Sequence, residues 1–102
     1  MNPRDELVAR AGLREATLVH YDIRESNIRA RRELSRFLSG RVDSKSTKSG
    51  RRTYRYPGLL SMGGRRIGQS VFLLEPNLAD RLIKKLQELR VRYWTTTLYE
   101  ES

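Results

Sequence analysis

Apolar residues in the first half of the chain follow a strand spacing and then a helical spacing. Residues 16–23 (ATLVHYDI) are rich in β-branched and aromatic residues and predict a strand. Residues 28–38 predict a helix, with Ser26 or Asn27 as its N-cap and Gly40 as its stop. One side of this helix is apolar and consists of Ala30, Leu34, Phe37 and Leu38.

The second half of the chain repeats this alternation of strand and helix. Residues 53–62 (TYRYPGLLSM) and 67–75 (IGQSVFLLE) predict two strands, joined by a glycine-containing hairpin connection at 62–66. Asn77 is expected to cap the next helix, and residues 91–99 (VRYWTTTLY) predict a final strand. The apolar stripe of this second helix is expected to be core and consists of Leu78, Leu82, Ile83, Leu86 and Leu89.

Two further stretches lack a clear apolar period. Residues 3–13 predict either a short helix or a loosely attached arm. In the helical alternative Leu7, Val8 and Leu13 point inward. Residues 40–52 (GRVDSKSTKSGRR) are rich in Ser, Thr, Lys and Gly without periodicity, which indicates a loop.

The order β-α-β-β-α-β predicts an α+β fold of the ferredoxin-like type. This fold is a four-stranded antiparallel sheet with two helices on one face. We expect residues 1–15 to form an N-terminal extension and 16–102 a single domain, with a basic loop insert near 40–55. Because such folds carry many unrelated functions, the function has to be argued from the side chains.

Positive charge is concentrated in the middle of the chain. The formal net charge is +9, and residues 24–66 hold thirteen Lys or Arg against three acidic residues. Seventeen of the 21 basic residues are arginine, whose planar guanidinium suits bidentate phosphate contacts. This distribution predicts a nucleic-acid interface. The alternative is a solvated helix face and a basic loop that bind nothing.

Composition argues against several other classes of protein. With no cysteine and one histidine, neither disulfides nor thiolate chemistry nor a zinc site is expected. No apolar run is long enough to span a membrane and the N-terminal residues are charged, so we expect a cytoplasmic protein. A mean hydropathy of −0.69 leaves a thin core for 102 residues, which favours a homodimer.

Asp22 and His20 are the candidate catalytic residues. They lie two positions apart on the first predicted strand, so their side chains share one face. A carboxylate at a strand end can bind Mg²⁺ when waters and phosphates complete the coordination, and two copies of Asp22 could meet across a dimer axis. The alternatives are that Asp22 accepts hydrogen bonds as a cap and that His20, rather than acting as a general base, only packs on the sheet.

The segment RRTYRYPG combines aromatic and cationic side chains. Strand alternation places Tyr54 and Tyr56 on one face and Arg55 on the other. The two tyrosines either stack on nucleic-acid bases or pack beneath the helices.

Two stretches of the sequence resemble one family, the CRISPR-associated Cas2 proteins. LVHYDI, followed directly by the basic helix SNIRARRELSRFL, is similar to the start of that family. GQSVFLLEPNLADRLIKKLQEL is similar to the family's Gln/Ser-Val-Phe strand, which leads into its second amphipathic helix. Together these stretches cover roughly half the chain, and their order agrees with the family.

The resemblance implies a ferredoxin-like homodimer that binds nucleic acid, an architecture shared with the VapD ribonucleases. Asp22 matches the aspartate that ends the family's first strand. It would therefore lie at the dimer interface and take part in Mg²⁺-dependent phosphodiester cleavage. Many family members instead hold DNA as a structural bridge during spacer acquisition, which implies a larger protein complex.

The preferred hypothesis is a Cas2-like dimer that binds duplex DNA or RNA and either cleaves it as an endonuclease or holds it. The alternative is a non-catalytic ferredoxin-like module that docks on RNA or on an acidic protein partner. The arginines expected to contact phosphates are Arg29, Arg31, Arg32, Arg36, Arg51, Arg52, Arg55, Arg65 and Arg66.

Overall fold

Strand β1 (Leu13–Asp22) lies inside a four-stranded antiparallel sheet in the computed structural model, which describes residues 2–102. The other elements are α1 (Pro3–Arg10), α2 (Ile28–Ser39), β2 (Gly40–Thr47), β3 (Gly50–Pro57), a 3₁₀ turn (Leu59–Met62), β4 (Arg65–Gly68), β5 (Val71–Leu74), α3 (Pro76–Glu88) and β6 (Arg92–Glu101). The sheet order is β4-β5-β1-β6, and β2 and β3 pair only with each other. The protein is therefore α+β.

The hydrophobic core lies between one face of the sheet and the two longer helices. Val19 on β1 and its register partner Phe72 on β5 are fully buried in this core. Burial of each such side chain contributes about 1.5–3 kcal/mol. Both predicted helical stripes are confirmed, since α2 and α3 contribute the buried side chains Ala30, Leu34, Leu38, Leu78, Leu82 and Leu86.

Helix α2 begins and ends where its sequence predicts. Of the two candidate caps, Asn27 holds the position, and its side-chain oxygen accepts a hydrogen bond from the Ala30 N–H at 3.2 Å. Gly40 follows the last turn with φ of 83°, a conformation that glycine adopts without steric cost.

Two local predictions at the other helices are wrong. Asn77 does not cap α3, because the helix already starts at Pro76 and the Asn77 side chain accepts a hydrogen bond from the adjacent Leu78 N–H. A helix does form within residues 3–13, but it ends at Arg10 and Leu13 already belongs to β1. Val8 and Leu13 are partly covered, whereas Leu7 is 66% exposed and does not point inward. Without a buried residue, α1 contributes little to the core.

The region predicted as a loop, 40–52, is instead paired strand. It forms β2 and the first part of β3, a hairpin that we call the basic ribbon (residues 40–57), with six Lys or Arg and one acidic residue. The strand predicted at 53–62 is confirmed only over 53–57, which belong to β3 of the ribbon rather than to the main sheet. Its second half is wrong, because residues 59–62 form a 3₁₀ turn. The single strand predicted at 67–75 is also wrong, because this stretch contains the end of β4 and all of β5, which pair antiparallel in the main sheet. Strand β4 begins within the predicted hairpin connection at 62–66.

The root of the ribbon is a tight crossing of two backbone segments. A Cβ atom added at Gly58 would collide with backbone atoms of Leu38, Ser39 and Gly40. We expect Gly58→Ala to lower the free energy of unfolding by about 2 kcal/mol or more, because backbone atoms cannot turn aside as a side chain can. Chemical denaturation followed by circular dichroism measures this loss.

Gly68→Ala is the matched control, since a Cβ there would only contact the Val71 side chain at 3.7 Å. We expect this variant to change the free energy of unfolding by less than about 1 kcal/mol. Equal losses in the two variants would contradict a steric constraint at the root.

Candidate nucleic-acid interface

The basic ribbon stands away from the main sheet. Gly40 and Asp43 are partly covered, and the other residues of the ribbon are exposed. The radius of gyration is 17.2 Å, against about 13 Å for a compact chain of this length. Each eight-residue strand spans about 27 Å, enough to account for much of the 59 Å long dimension. The ribbon therefore exposes both of its faces to a ligand.

Strand register sorts the side chains of the ribbon onto these two faces. Residues directly opposed across the strands share a face, as the pair Ser44 and Thr53 does. The hydroxyl face, as we call it, consists mainly of Val42, Ser44, Ser46, Arg51, Thr53 and Arg55. The tyrosine face consists mainly of Arg41, Asp43, Lys45, Arg52, Tyr54 and Tyr56. The single carboxylate of the ribbon therefore lies on the tyrosine face.

The two tyrosines lie on the ribbon surface. Tyr54 and Tyr56 are 40% and 45% exposed, so the alternative that they pack beneath the helices is wrong. The Arg41 guanidinium lies 4.5 Å from the centroid of the Tyr56 ring and 3.5 Å from the Asp43 carboxylate. Tyr56 thus already has a cation over its ring, and Arg41 already has an acidic partner.

Helix α2 adds a second group of exposed arginines. Arg31, Arg32 and Arg36 are exposed, and within residues 2–102 none of them pairs with a carboxylate. Arg29, in contrast, donates a hydrogen bond to Glu33 one turn further along, at 3.2 Å. Three of the four arginines predicted on α2 therefore form no ion pair within residues 2–102.

A cleft of about 410 Å³ connects α2 to the root of the ribbon. Its lining is cationic and aromatic, with one acidic residue, and consists of Glu33, Arg36, Phe37, Arg41, Tyr56, Pro57, Leu59, Arg81 and Lys85. The Lys85 ammonium lies 6.0 Å from the centroid of the Phe37 ring, at the outer limit of a cation–π contact. A phosphate in this cleft would meet four cationic side chains for one carboxylate.

Glu33 is held in its charged form by its neighbours. The hydrogen bond from Arg29 is the main cause that lowers the pKa of the Glu33 carboxyl, and the Lys85 ammonium, at 3.5 Å, lowers it further. A lowered pKa in the folded state contributes stability above the pKa of the unfolded chain, and this stability is lost as the pH falls. At neutral pH Glu33 is thus an anion that offsets part of the positive charge of the cleft.

Arg65 and Arg66, which the sequence grouped with the other arginines, are engaged elsewhere. Arg65 donates a hydrogen bond of 2.6 Å to Glu100 on β6, so its side chain crosses the sheet over β5 and β1. Glu100 also pairs with Arg14, at 3.2 Å. The Arg66 guanidinium lies 5.1 Å from the centroid of the Phe72 ring. Arg65 therefore lies away from the ribbon and α2 surface, whereas Arg66 lines a cavity together with Arg31 of α2.

Three cationic residues of the cleft did not emerge from the sequence as candidates. Arg41 lies in the segment predicted to be a loop. Arg81 and Lys85 lie on α3, for which the sequence predicted only an apolar side that packs in the core. The signal for the last two was their spacing of four residues, which places them together on the polar side of the helix.

Strand alternation assigns Asp22 and His20 to the open face of the sheet, the face opposite α2 and α3, and both are exposed. Asp22 is the last residue of β1, and there it also lines a cavity with side chains of α2. The His20 ring lies 5.2 Å from the Trp94 ring of the neighbouring strand, centroid to centroid. In the described part of the chain the Asp22 side chain makes no hydrogen bond. The alternative that Asp22 acts as a cap is therefore wrong, and Asn27 has that role.

The surroundings of Asp22 are balanced in charge. Asp22 and Glu25 line a cavity of about 370 Å³ together with Arg31 and Arg66, so two carboxylates face two guanidinium groups. Among residues 2–102 no group of three His, Cys, Asp or Glu side chains is arranged to hold a metal ion. This lining does not fit a Mg²⁺ ion bound by a single chain, because the guanidinium groups offset the carboxylates.

Comparison with known proteins does not identify a relative. No family model, no curated protein and no solved structure matches the chain. As for membranes, none of the helices described within residues 2–102 is long and apolar enough to span one. The function is therefore argued from the residues themselves.

The charge of the cleft yields a test. Glu33→Gln should tighten the binding of a duplex nucleic acid about threefold at low salt, because it removes one negative charge, releases Arg29 and leaves Lys85 only the pair with Glu88 at 3.8 Å. Fluorescence anisotropy with a labelled duplex measures the change.

Glu6→Gln is the matched control, because Glu6 also pairs with an arginine four residues away, on α1 rather than at the cleft. We expect it to leave the dissociation constant almost unchanged. The same gain in both variants would show that only the net charge matters and that the cleft is not in contact with the ligand.

Proposed function

We propose that the protein binds nucleic acid through the basic ribbon and the exposed side of α2. The observation that carries the proposal is a group of arginines on these two elements that have no acidic partner within residues 2–102. They are Arg31, Arg32, Arg36, Arg51, Arg52 and Arg55. Their guanidinium groups are suited to bidentate contacts with phosphate oxygens.

The close spacing of unpaired cations on the ribbon strengthens this argument. Away from the proposed surface, Arg10 pairs with Glu6, and Arg14 and Arg65 pair with Glu100. The other arginines there have no carboxylate partner within residues 2–102, but they are scattered over several elements. On the ribbon, five of the six basic residues have no such partner in the described chain. Like charges held close together repel each other, and a polyanion that binds them relieves the repulsion. An uncompensated basic surface of this kind is typical of a protein that binds phosphate backbones.

The same proposal includes a ferredoxin-like fold with an insertion. If the basic ribbon and α1 are set aside, the remaining order is strand, α2, two strands, α3 and strand. In that order the first strand of the sheet lies between the third and the fourth, which supports the assignment. The ribbon would then be an insertion between α2 and the second strand.

A Cas2-like role in holding DNA, within a larger protein complex, is part of this proposal and is supported by the two sequence stretches that resemble the family.

We also propose that two copies associate through the open face of the sheet. Strand alternation places Leu18, Trp94 and Leu98 on this face, and Trp94 and Leu98 are 47% and 39% exposed. Exposed apolar side chains on one face of a sheet are typical of a protein–protein interface, and the Arg65–Glu100 ion pair on the same face would form part of this one. A dimer would present two ribbons, and so double the number of phosphate contacts.

Binding has more support than cleavage in this proposal. Asp22 and His20 share the open face, so a dimer through that face would bring their two copies nearer to each other. Within one chain, however, Arg31 and Arg66 line the cavity beside Asp22. These cations favour phosphate over Mg²⁺. We therefore propose a protein that holds nucleic acid and assign no cleavage step.

The rival proposal is a monomeric module that docks on an acidic protein. A nucleic acid and an acidic protein are both polyanions and would bind the same basic surface. The two proposals are therefore distinguished by how binding depends on salt. Contacts with phosphates release condensed counterions, which gives nucleic-acid binding a steep and linear dependence of log K on log salt. The arginine-rich composition and the aromatic residues of the ribbon favour the nucleic acid.

Removal of the arginines of α2 tests the binding proposal. The triple variant Arg31→Gln, Arg32→Gln, Arg36→Gln should weaken duplex binding by a factor of about 30 or more and reduce the slope of log K against log salt by about 2–3. The control Arg4→Gln, Arg10→Gln, Arg14→Gln changes the net charge equally, at α1 and the start of β1. Equal losses of affinity in the two variants, or a wild-type affinity that does not change with salt, would contradict the proposal.

Leu98→Glu tests the dimer. We expect the wild-type protein to be a dimer in solution and the variant a monomer, because a carboxylate in an apolar interface is left desolvated and unpaired. Multi-angle light scattering gives the mass. Leu7→Glu is the control on α1, where the leucine is 66% exposed, and should leave the dimer intact. A monomeric wild type would refute the dimer without affecting the binding proposal.

A further inference from the structure

The shape of the basic ribbon points to a particular nucleic acid and a particular face. We infer that the hydroxyl face of the ribbon enters the major groove of B-form duplex DNA. This inference rests on the proposed function, since it specifies the ligand and the docking surface of the same site. Neither the charge nor the sequence pattern alone distinguishes one groove, one face or one type of duplex from another.

The dimensions of the ribbon suit a groove better than a flat surface. It is two strands wide, about 27 Å long and exposed along both strands beyond its root. The major groove of B-form DNA is about 12 Å wide and admits a two-stranded ribbon. A ribbon in the groove lies between two rows of phosphates, so its long cationic side chains reach them on either side.

The composition of the two faces indicates that the hydroxyl face, rather than the tyrosine face, enters the groove. Along its middle this face carries short side chains, Ser44, Ser46 and Thr53, which allow the backbone to approach the base edges closely. The tyrosine face carries two bulky aromatic rings and the carboxylate of Asp43, which is 40% exposed at its side chain and would be repelled by the phosphates. The hydroxyl face has no acidic residue.

The hydroxyl face also carries groups that can distinguish bases. Arg51 and Arg55 have no acidic partner in the described chain, and a guanidinium can donate two hydrogen bonds to O6 and N7 of guanine. Serine and threonine hydroxyls can donate to or accept from base edges. Lys45 and Arg52 lie on the opposite face, where they are placed for phosphates rather than bases.

Duplex RNA fits this surface poorly. The major groove of an A-form helix is deep and narrow, and side chains cannot read it. If the ribbon enters the major groove, the protein therefore binds duplex DNA in preference to duplex RNA. Binding by the tyrosine face would instead favour single strands, whose bases can stack on aromatic rings.

Two neighbouring positions on β3 provide the test. Thr53→Glu places a carboxylate on the hydroxyl face, and Tyr54→Glu places the same charge on the tyrosine face at the same level of the ribbon. We expect Thr53→Glu to weaken the binding of a labelled duplex DNA at least about tenfold and Tyr54→Glu at most about threefold. Circular dichroism and thermal unfolding confirm that both variants are folded.

A probe of the groove completes the experiment. Bound protein should protect guanine N7, which lies in the major groove, from methylation by dimethyl sulfate, and a duplex RNA of the same sequence should bind at least about tenfold more weakly. Equal weakening by the two substitutions, a larger effect of Tyr54→Glu, unprotected N7 or equal affinity for RNA would each overturn the inference.

The outcomes separate this inference from the proposed function. If the wild type binds no nucleic acid at all, the proposed function fails and the inference falls with it. If binding is lost in the α2 triple variant while Thr53→Glu and Tyr54→Glu behave alike, the proposed function stands and the groove docking of the ribbon is wrong.

Discussion

Burial of the apolar side chains of β1 and β5 beneath α2 and α3 is the interaction on which the rest of the molecule depends. Val19 and Phe72 have no exposed surface, and the leucines of both helices close over them. This single layer of core fixes the position of α2, and the crossing at Gly40 and Gly58 then fixes where the basic ribbon leaves the domain. The basic ribbon is thus attached to the domain at one end only.

The sequence predicted the elements that bury apolar side chains and missed those that do not. The stripes of α2 and α3 were visible because burial imposes a helical period on leucine and alanine. The ribbon shows no such period, because both of its faces are solvated and neither face requires apolar residues at every second position. Residues 53–57 are a strand, as predicted, but tyrosine and threonine do not tell which sheet a strand joins, and these residues pair in the ribbon rather than in the main sheet.

The sequence predicted that the candidate site consists of arginines, but it did not predict which cationic side chains lie together there. Runs of arginine in a sequence show how much positive charge is present, but a side chain such as Arg65 is neutralised by Glu100, which is 35 residues away. Only the fold tells which cations have partners. The same holds for Arg81 and Lys85, which reach the cleft because α3 packs beside α2 over the common core.

The ribbon has two outer edges whose backbone N–H and C=O groups have no strand beside them in the described structure. Such edges pair readily with strands of other chains and so favour aggregation. The closely spaced lysines and arginines counter this, because a second ribbon would bring like charges into contact. The cations proposed to bind phosphates would then also keep the protein from polymerising, and a variant stripped of them would lose solubility as well as affinity.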